Sequence, residues 1–249
     1  MRPEQPHIAL VTGASGGIGR AVVEALRQSG HRIVVAGRDQ RTLQTIHAEA
    51  LVVADTTTPD GAALSIQACV DLLGQPPALL AHCVGSTLIA PLHRSADDDI
   101  RETLRINLES PLFMLRAWIQ AQRETGRPGA AVLASSVVAR IGVANHEAIA
   151  AAKGGVEALV RSAAATYAPS RLRINAVAPG MTDTAMTASM LRIDAMREGA
   201  GRQYPLGGVQ TAQQVADVVA WLLSDGAARI TGQVIAVDGG FTTVRPLVK

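Results

Sequence analysis

Apolar residues in this chain fall in two rhythms. Short runs of Val, Ile, Leu and Ala with little alternation occur at His7–Val11, Arg32–Ala36, Ala50–Ala54, Ala78–Cys83, Ala130–Ser135, Arg171–Val177 and Gln233–Val237. Between them lie longer segments with apolar residues at helical spacing: Gly17–Ser29, Arg41–Ala48, Pro59–Leu73, Ala96–Asn107, Leu108–Thr125, Glu147–Ala168, Thr184–Arg197 and Thr211–Ser224. A strand that is apolar on both faces belongs in a parallel sheet covered on both sides. The β–α alternation, with no Pro/Gly/Ser-rich linker and no internal repeat, predicts an α/β doubly wound parallel sheet of about seven strands, helices on both faces and right-handed crossovers.

Composition narrows the class. A chain of 249 residues, 48% hydrophobic, buries a core that needs neither disulfide nor metal support. The net charge of +2 comes with scattered arginines and no like-charge run, which argues against a nucleic-acid partner. The two cysteines, Cys69 and Cys83, read as reduced thiols. His82 and Cys83 have no second Cys or His at a ligand spacing nearby, so no metal site is expected. The first residues, MRPEQPH, carry no apolar signal core, and no apolar run reaches the ~18 residues of a membrane span. The expectation is a cytoplasmic protein with no membrane partner.

Directly after the first strand and opening the first helix stands Thr12-Gly13-Ala14-Ser15-Gly16-Gly17-Ile18-Gly19. Glycines there let the backbone turn tightly and approach a pyrophosphate, whose charge a helix N-terminus favours. In that strand–helix context the motif predicts a single Rossmann-type dinucleotide-binding domain over residues 1–249, with Gly13, Ser15, Gly17, Ile18 and Gly19 at the cofactor. The second strand ends in Gly37-Arg38, with no acidic residue to meet a ribose 2′-hydroxyl and an arginine able to pair with a 2′-phosphate. NADP(H) is therefore favoured over NAD(H). Asp55, after the third strand, is read either as an acceptor for the adenine amino group or as a strand-end cap.

These motifs continue with Arg105-Ile106-Asn107-Leu108, Ser136, Lys153, Asn175–Gly180, Ile230–Gln233 and Val237–Gly240. Taken in order, they make the chain resemble the short-chain dehydrogenase/reductase family, close in layout to its 3-oxoacyl-carrier-protein reductase type. The resemblance implies hydride transfer between a nicotinamide and a carbonyl or alcohol of a small-molecule substrate. It implies Ser136 as the group holding the carbonyl oxygen, Lys153 on the nicotinamide ribose and Asn107 on a water linking that lysine to solvent. Gly85, Pro179, Gly180 and Thr184 fall at its further cofactor contacts. The segment 181–204, rich in Met, Thr and Ala, is expected as the substrate lid, with Met186, Met190 and Met196 as an apolar lining. The family's usual assembly implies a homodimer or homotetramer built on Leu108–Thr125 and Glu147–Ala168.

The resemblance breaks at one position. The family's catalytic tyrosine belongs four residues before the lysine and thirteen after the serine, and Ile149 stands there. An isoleucine has no proton to give, and loss of a positioned acid costs about 10²–10⁴ in rate. The proton then comes from His146, from water or from the substrate itself. His146, seven residues before Lys153, is read as a proton donor or, in Asn145-His146-Glu147, as part of a helix start capped by Asn145. Tyr204, beside Pro205, is a weaker substitute. A second departure is Ala81-His82-Cys83-Val84-Gly85, where the family has amides bracing the central strand; a repacked strand end is expected. Two functions remain: an atypical NADP(H)-dependent oxidoreductase, or a cofactor-binding pseudoenzyme partnering an active paralogue in a hetero-oligomer.

Overall fold

The computed structural model describes residues 6–247. In chain order the elements are β1 (Ile8–Thr12), α1 (Gly17–Gln28), β2 (Arg32–Gly37), α2 (Gln40–Leu43), β3 (Ala50–Val53), α3 (Pro59–Leu73), β4 (Leu79–His82), α4 (Asp97–Leu104), α5 (Ser110–Thr125), β5 (Gly129–Ala134), α6 (Glu147–Tyr167), β6 (Leu172–Pro179), β7 (Thr182–Asp183), α7 (Asp194–Gly201), β8 (Gln210–Thr211), α8 (Ala212–Leu223) and β9 (Val234–Val237). Seven strands form one parallel sheet in the order β3-β2-β1-β4-β5-β6-β9. The fold is the expected Rossmann-type architecture. No helix among the described residues is long and apolar enough to cross a membrane.

Alternation of side chains across a strand explains the unalternated runs. Ile8 and Leu10 of β1 point into one core layer with Met114, Trp118 and Val160 of α5 and α6. Ala9 and Val11 point into the other, with Val22 and Leu26 of α1 and Val215, Val219 and Leu222 of α8. Both faces are dry, so both positions must be apolar. Trp118 is fully buried and donates its Nε1–H to the Pro77 carbonyl at 2.8 Å. A Cβ on Gly129 would meet its ring at 2.7 Å, which explains the glycine opening β5.

The termini of the elements are set by local chemistry. Thr58 caps α3 ahead of Pro59, and Thr211 with Gln214 forms a reciprocal capping box on α8. Four expectations need correction. Helix α2 spans only Gln40–Leu43, not Arg41–Ala48. Helices α4 and α5 join through a π-helical turn, Arg105–Glu109, rather than breaking after Asn107. The helix expected over Thr184–Arg197 is confined to Asp194–Gly201. In the turns before it, the Thr187 hydroxyl accepts from the Thr184 N–H at 3.1 Å and donates to the Thr182 carbonyl at 2.5 Å. Such side-chain bonding competes with helix formation. Met186 and Met196, expected to face inward, are about half exposed (52% and 48%).

Candidate active site

Strand order reverses between β1 and β4, which opens a crevice beyond the carboxyl ends of the strands. The backbone closes in there to distances that exclude side chains. Gly13 sits at φ +69°, and a Cβ on it would lie 2.7 Å from the Cys83 carbonyl carbon and Val84 nitrogen. A Cβ on Gly19 would lie 2.2 Å from the Gly13 carbonyl oxygen. One on Gly17 would strike Thr184 Cγ2 at 2.7 Å, so the segment after β6 rests against the glycine-rich turn. Gly16 precedes α1 with no side-chain cap, leaving that end to the backbone amides. Ser15 is exposed and Ile18 half-buried beside it. Arg20, overlooked in the sequence, ties this turn outward, donating to the Ser15 carbonyl at 3.3 Å and to Thr45 Oγ1 at 2.8 Å.

Arg38 emerges, exposed, just past the end of β2. Asp55, beyond β3, accepts hydrogen bonds from the Thr57 amide (3.0 Å) and hydroxyl (2.6 Å), so the strand-end cap is real. Its other oxygen lies 3.8 Å from Arg105, which also pairs with Glu102 at 2.6 Å and donates to the Thr57 hydroxyl. Partial burial works to raise the Asp55 pKa. The Thr57 hydrogen bonds and the charges of Arg38 and Arg105 outweigh it and hold the carboxyl below its usual range.

At the middle of the crevice Lys153 is buried (5% exposed) on α6, and its ammonium donates to the Ala134 carbonyl at 2.8 Å, two residues before Ser136. Burial lowers its pKa to about 8. Chain neighbours aside, a Cβ placed on Gly85 would come within 4 Å, among the described residues, of Asn107 Oδ1 at 3.3 Å and Lys153 Nζ at 3.6 Å. Asn107, fully buried in the π turn, donates to the Ser86 hydroxyl at 2.9 Å and the Thr103 carbonyl at 3.0 Å, and accepts from the Ser86 amide at 3.1 Å. Gly85, Asn107 and Lys153 thus come together from three separate segments. Ser136 is half-buried and caps the short turn Val137–Ala139. Its neighbour Ser135 is turned away, donating to the buried Glu157 at 3.1 Å. Ile149, one helical turn before Lys153, is 4% exposed.

His146, not Asn145, is the residue preceding α6, while Asn145 adopts φ +64° and its carbonyl accepts from the Ala90 amide at 2.9 Å. The conformation at Asn145 lets its main chain bridge to the loop after β4, so its side chain does not cap the helix. His146 Nδ1 lies 2.7 Å from the Ala144 carbonyl, which only accepts; Nδ1 therefore carries a proton and Nε2 is the free nitrogen. Tyr204 serves as a support. Its hydroxyl accepts from the Met181 amide at 2.7 Å, its ring packs on Phe241 at 5.1 Å, and a Cβ on Gly180 would meet it at 2.7 Å. Gly180 directly follows Pro179, the last residue of β6.

His82, at the end of β4, is the repacked strand end. It is 1% exposed, with Nδ1 2.7 Å from Thr12 Oγ1 and Nε2 3.2 Å from Ser110 Oγ. Ser110 spends its proton on the Thr56 carbonyl at 2.9 Å, so it accepts from Nε2–H, and Nδ1 accepts from Thr12. The imidazole is a neutral brace linking β1, β4, α5 and the turn after β3. Burial, with the nearby Lys153 charge, pushes its pKa down to about 3.

A family model described as enoyl-(acyl carrier protein) reductase matches residues 13–242. The chain is 36% identical over 245 residues to cis-4-hydroxycyclohexanecarboxylate dehydrogenase of Sinomonas cyclohexanicum, covering 96% of this chain and 97% of that protein. It is 34% identical over 244 residues to 3-oxoacyl-(acyl-carrier-protein) reductase of Pseudomonas aeruginosa, covering 95% and 97%. This is a member of the short-chain dehydrogenase/reductase family. Ligand-free aldohexose dehydrogenase of Thermoplasma acidophilum superposes with a TM-score of 0.89 at 28% identity, covering 98% of this chain and 97% of that one. These relatives are oxidoreductases. Relative to the short-chain dehydrogenase/reductase pattern, the sequence carried a visible sign of His82, but Ser86 and Arg20 gave none, because their roles come from loops that meet only on folding.

Proposed function

We propose that this chain is an NADP(H)-dependent oxidoreductase acting on a carbonyl, or the corresponding alcohol, of a small molecule. The observation that carries the reading is the Lys153 ammonium, buried without a carboxylate partner among the described residues and standing beside Gly85, where a Cβ would lie 3.6 Å from it. A buried cation is costly unless something at the site uses it. The residues fit a dinucleotide. A Cβ would fill the cradle at Gly13 and Gly19, Ser15, Gly17 and Ile18 flank the uncapped start of α1, and Pro179, Gly180 and Thr184 border it from β6. Arg38 would pair with a 2′-phosphate, Asp55 would face the adenine side, and Gly85 with Lys153 would meet the nicotinamide ribose.

When bound, the nicotinamide supplies or accepts a hydride. The protein's part is to hold the carbonyl oxygen with Ser136, keep Lys153 oriented through Ala134, and anchor the loop after β4 through Asn107 and Ser86. His146 stands at the start of α6, next to Asn145, whose carbonyl accepts from the Ala90 amide in the loop after β4. The site is atypical because Ile149 offers no hydroxyl where the family's tyrosine stands. That same observation favours a second reading, a dinucleotide-binding pseudoenzyme joined to an active paralogue. The open apolar groove of about 800 Å³ between α5 and α6, lined by Leu112, Phe113, Ile119, Leu159 and Tyr167, supports assembly as a homodimer or homotetramer through those helices. The expected setting is the cytoplasm.

The test pairs binding with turnover. NADPH should quench tryptophan fluorescence more tightly than NADH, and Arg38→Ser should cut the preference by at least about tenfold, or 1.4 kcal/mol. Failure to bind either dinucleotide ends the oxidoreductase reading. A panel of ketones, enones and imines, run on wild type and Ile149→Tyr, separates the two functions: a silent wild type beside an active Ile149→Tyr means a pseudoenzyme.

A further inference from the structure

We propose that Lys153 is itself the catalytic acid of this site, handing an ammonium proton to the substrate oxygen as hydride reaches the carbonyl carbon. The inference rests on the oxidoreductase reading above. In the step, the C=O π pair moves to oxygen, an O–H bond forms, an N–H bond of Lys153 breaks, and the amine regains a proton from solvent. The carbonyl gains two electrons and the reduced dinucleotide loses them.

Geometry selects Lys153 from the proton-bearing groups of the crevice. His82 has both ring nitrogens committed, to Thr12 and Ser110, and is neutral. Cys83 is pushed up to about 12 by burial and holds its proton. The Tyr204 hydroxyl accepts from the Met181 amide, its ring packs beside Gly180, and burial raises its pKa, so it holds its proton. Ser136 accepts from the Val138 amide at 3.4 Å, and an uncoupled serine hydroxyl is a poor acid. His146 lies at the start of α6 with one nitrogen tied to Ala144, seven residues and about 10 Å of helix from Lys153. Lys153 uses one donor on Ala134 and keeps two more. A Cβ built on Gly85 would lie 3.6 Å from its Nζ and 3.3 Å from Asn107 Oδ1, so the ammonium and the carboxamide oxygen both stand against the Gly85 backbone.

The surroundings also tune the proton. Ile149 walls the same face of α6 one turn away. The ionisable groups facing Lys153 are His82 and Cys83 from the end of β4. Glu157, one turn further along α6, is turned to Ser135 and Arg161, and Arg105 of the π turn is turned to Glu102 and Asp55. Burial lowers the Lys153 pKa to about 8, so near neutral pH the acid is mostly charged and still able to release its proton.

Only two lysines occur in the chain, Lys153 and Lys249, so ¹³C-lysine NMR reads this group directly. One lysine resonance is expected to titrate near 8 in the protein without dinucleotide and to be absent in Lys153→Arg. Titration of both resonances at the ordinary value of about 10.4 overturns the proposal whatever the activity. Carbonyl reduction by wild type should fall as pH rises through that same value, and alcohol oxidation should rise. Lys153→Arg keeps a cation for the ribose but cannot release its proton. It should bind NADPH within about tenfold of wild type, yet lose at least about 100-fold in turnover with a flat pH profile. Retained turnover in Lys153→Arg, or loss in His146→Ala while Lys153→Arg stays active, overturns Lys153 as the acid and leaves the oxidoreductase reading standing. No turnover in wild type despite bound NADPH overturns both, and the NMR titration distinguishes that failure from a misassigned acid.

Discussion

Acid should unfold this protein partly through one imidazole. His82 is buried and neutral, with a pKa of about 3 in the folded chain, against about 6.5 when unfolded. The sign follows from proton counting. Below the unfolded value the unfolded chain binds a proton that the native chain refuses, so stability is intact above it and is lost as pH falls toward 3. Within that window each pH unit removes just over 1 kcal/mol, or roughly 2–3 kcal/mol between about pH 7 and about pH 4.5. The perturbation is His82→Gln, which keeps a donor and an acceptor but cannot titrate. It will cost stability at every pH, because the hydrogen bonds to Thr12 and Ser110 are remade imperfectly. That cost is a constant offset and drops out of the slope. Urea unfolding across the pH range on both proteins should give a wild-type curve that falls more steeply by roughly 2–3 kcal/mol over the interval. Parallel curves, or an NMR titration of His82 near its unperturbed value, refute the reasoning and with it the neutral brace.

Two further expectations concern the crevice. Gly19→Ala places a methyl 2.2 Å from the Gly13 carbonyl, so the turn must shift, and dinucleotide affinity measured by tryptophan quenching should fall at least about tenfold. Tyr204→Phe removes the acceptor of the Met181 amide and should cost about 1–3 kcal/mol in urea unfolding while leaving turnover at saturating substrate unchanged. A drop in turnover of about 100-fold or more would instead make Tyr204 a catalytic group.

The strand runs were legible because a doubly covered parallel sheet keeps polar positions few, among them Thr12, His82, Arg173 and Asn175, and all seven main strands lie within a residue or two of their expected bounds. The segment between β6 and α8 was not. Its apolar residues suggested a helix over Thr184–Arg197, but threonine side chains bonding to the neighbouring main chain hold most of it in turns. Short β7 and β8 escaped notice because two residues carry no period. At the site, Gly13, Gly19, Asn107 and Lys153 were recognisable from their motifs, whereas the mode by which His82 repacks its strand end was not.

The sequence alone determined the class of fold, the place of the glycine-rich turn, the absence of a hydroxyl at Ile149 and the fact that Lys153 is the one lysine before Lys249. Periodicity and short motifs are local, and local patterns survive in one dimension. Only the tertiary structure decided that Lys153 stands beside Asn107 and Gly85 without a carboxylate partner among the described residues, that Asn145 does not cap α6, and that His82 is a neutral strut. Burial and hydrogen-bond partnership depend on segments far apart in the chain, and those two quantities govern where a proton resides.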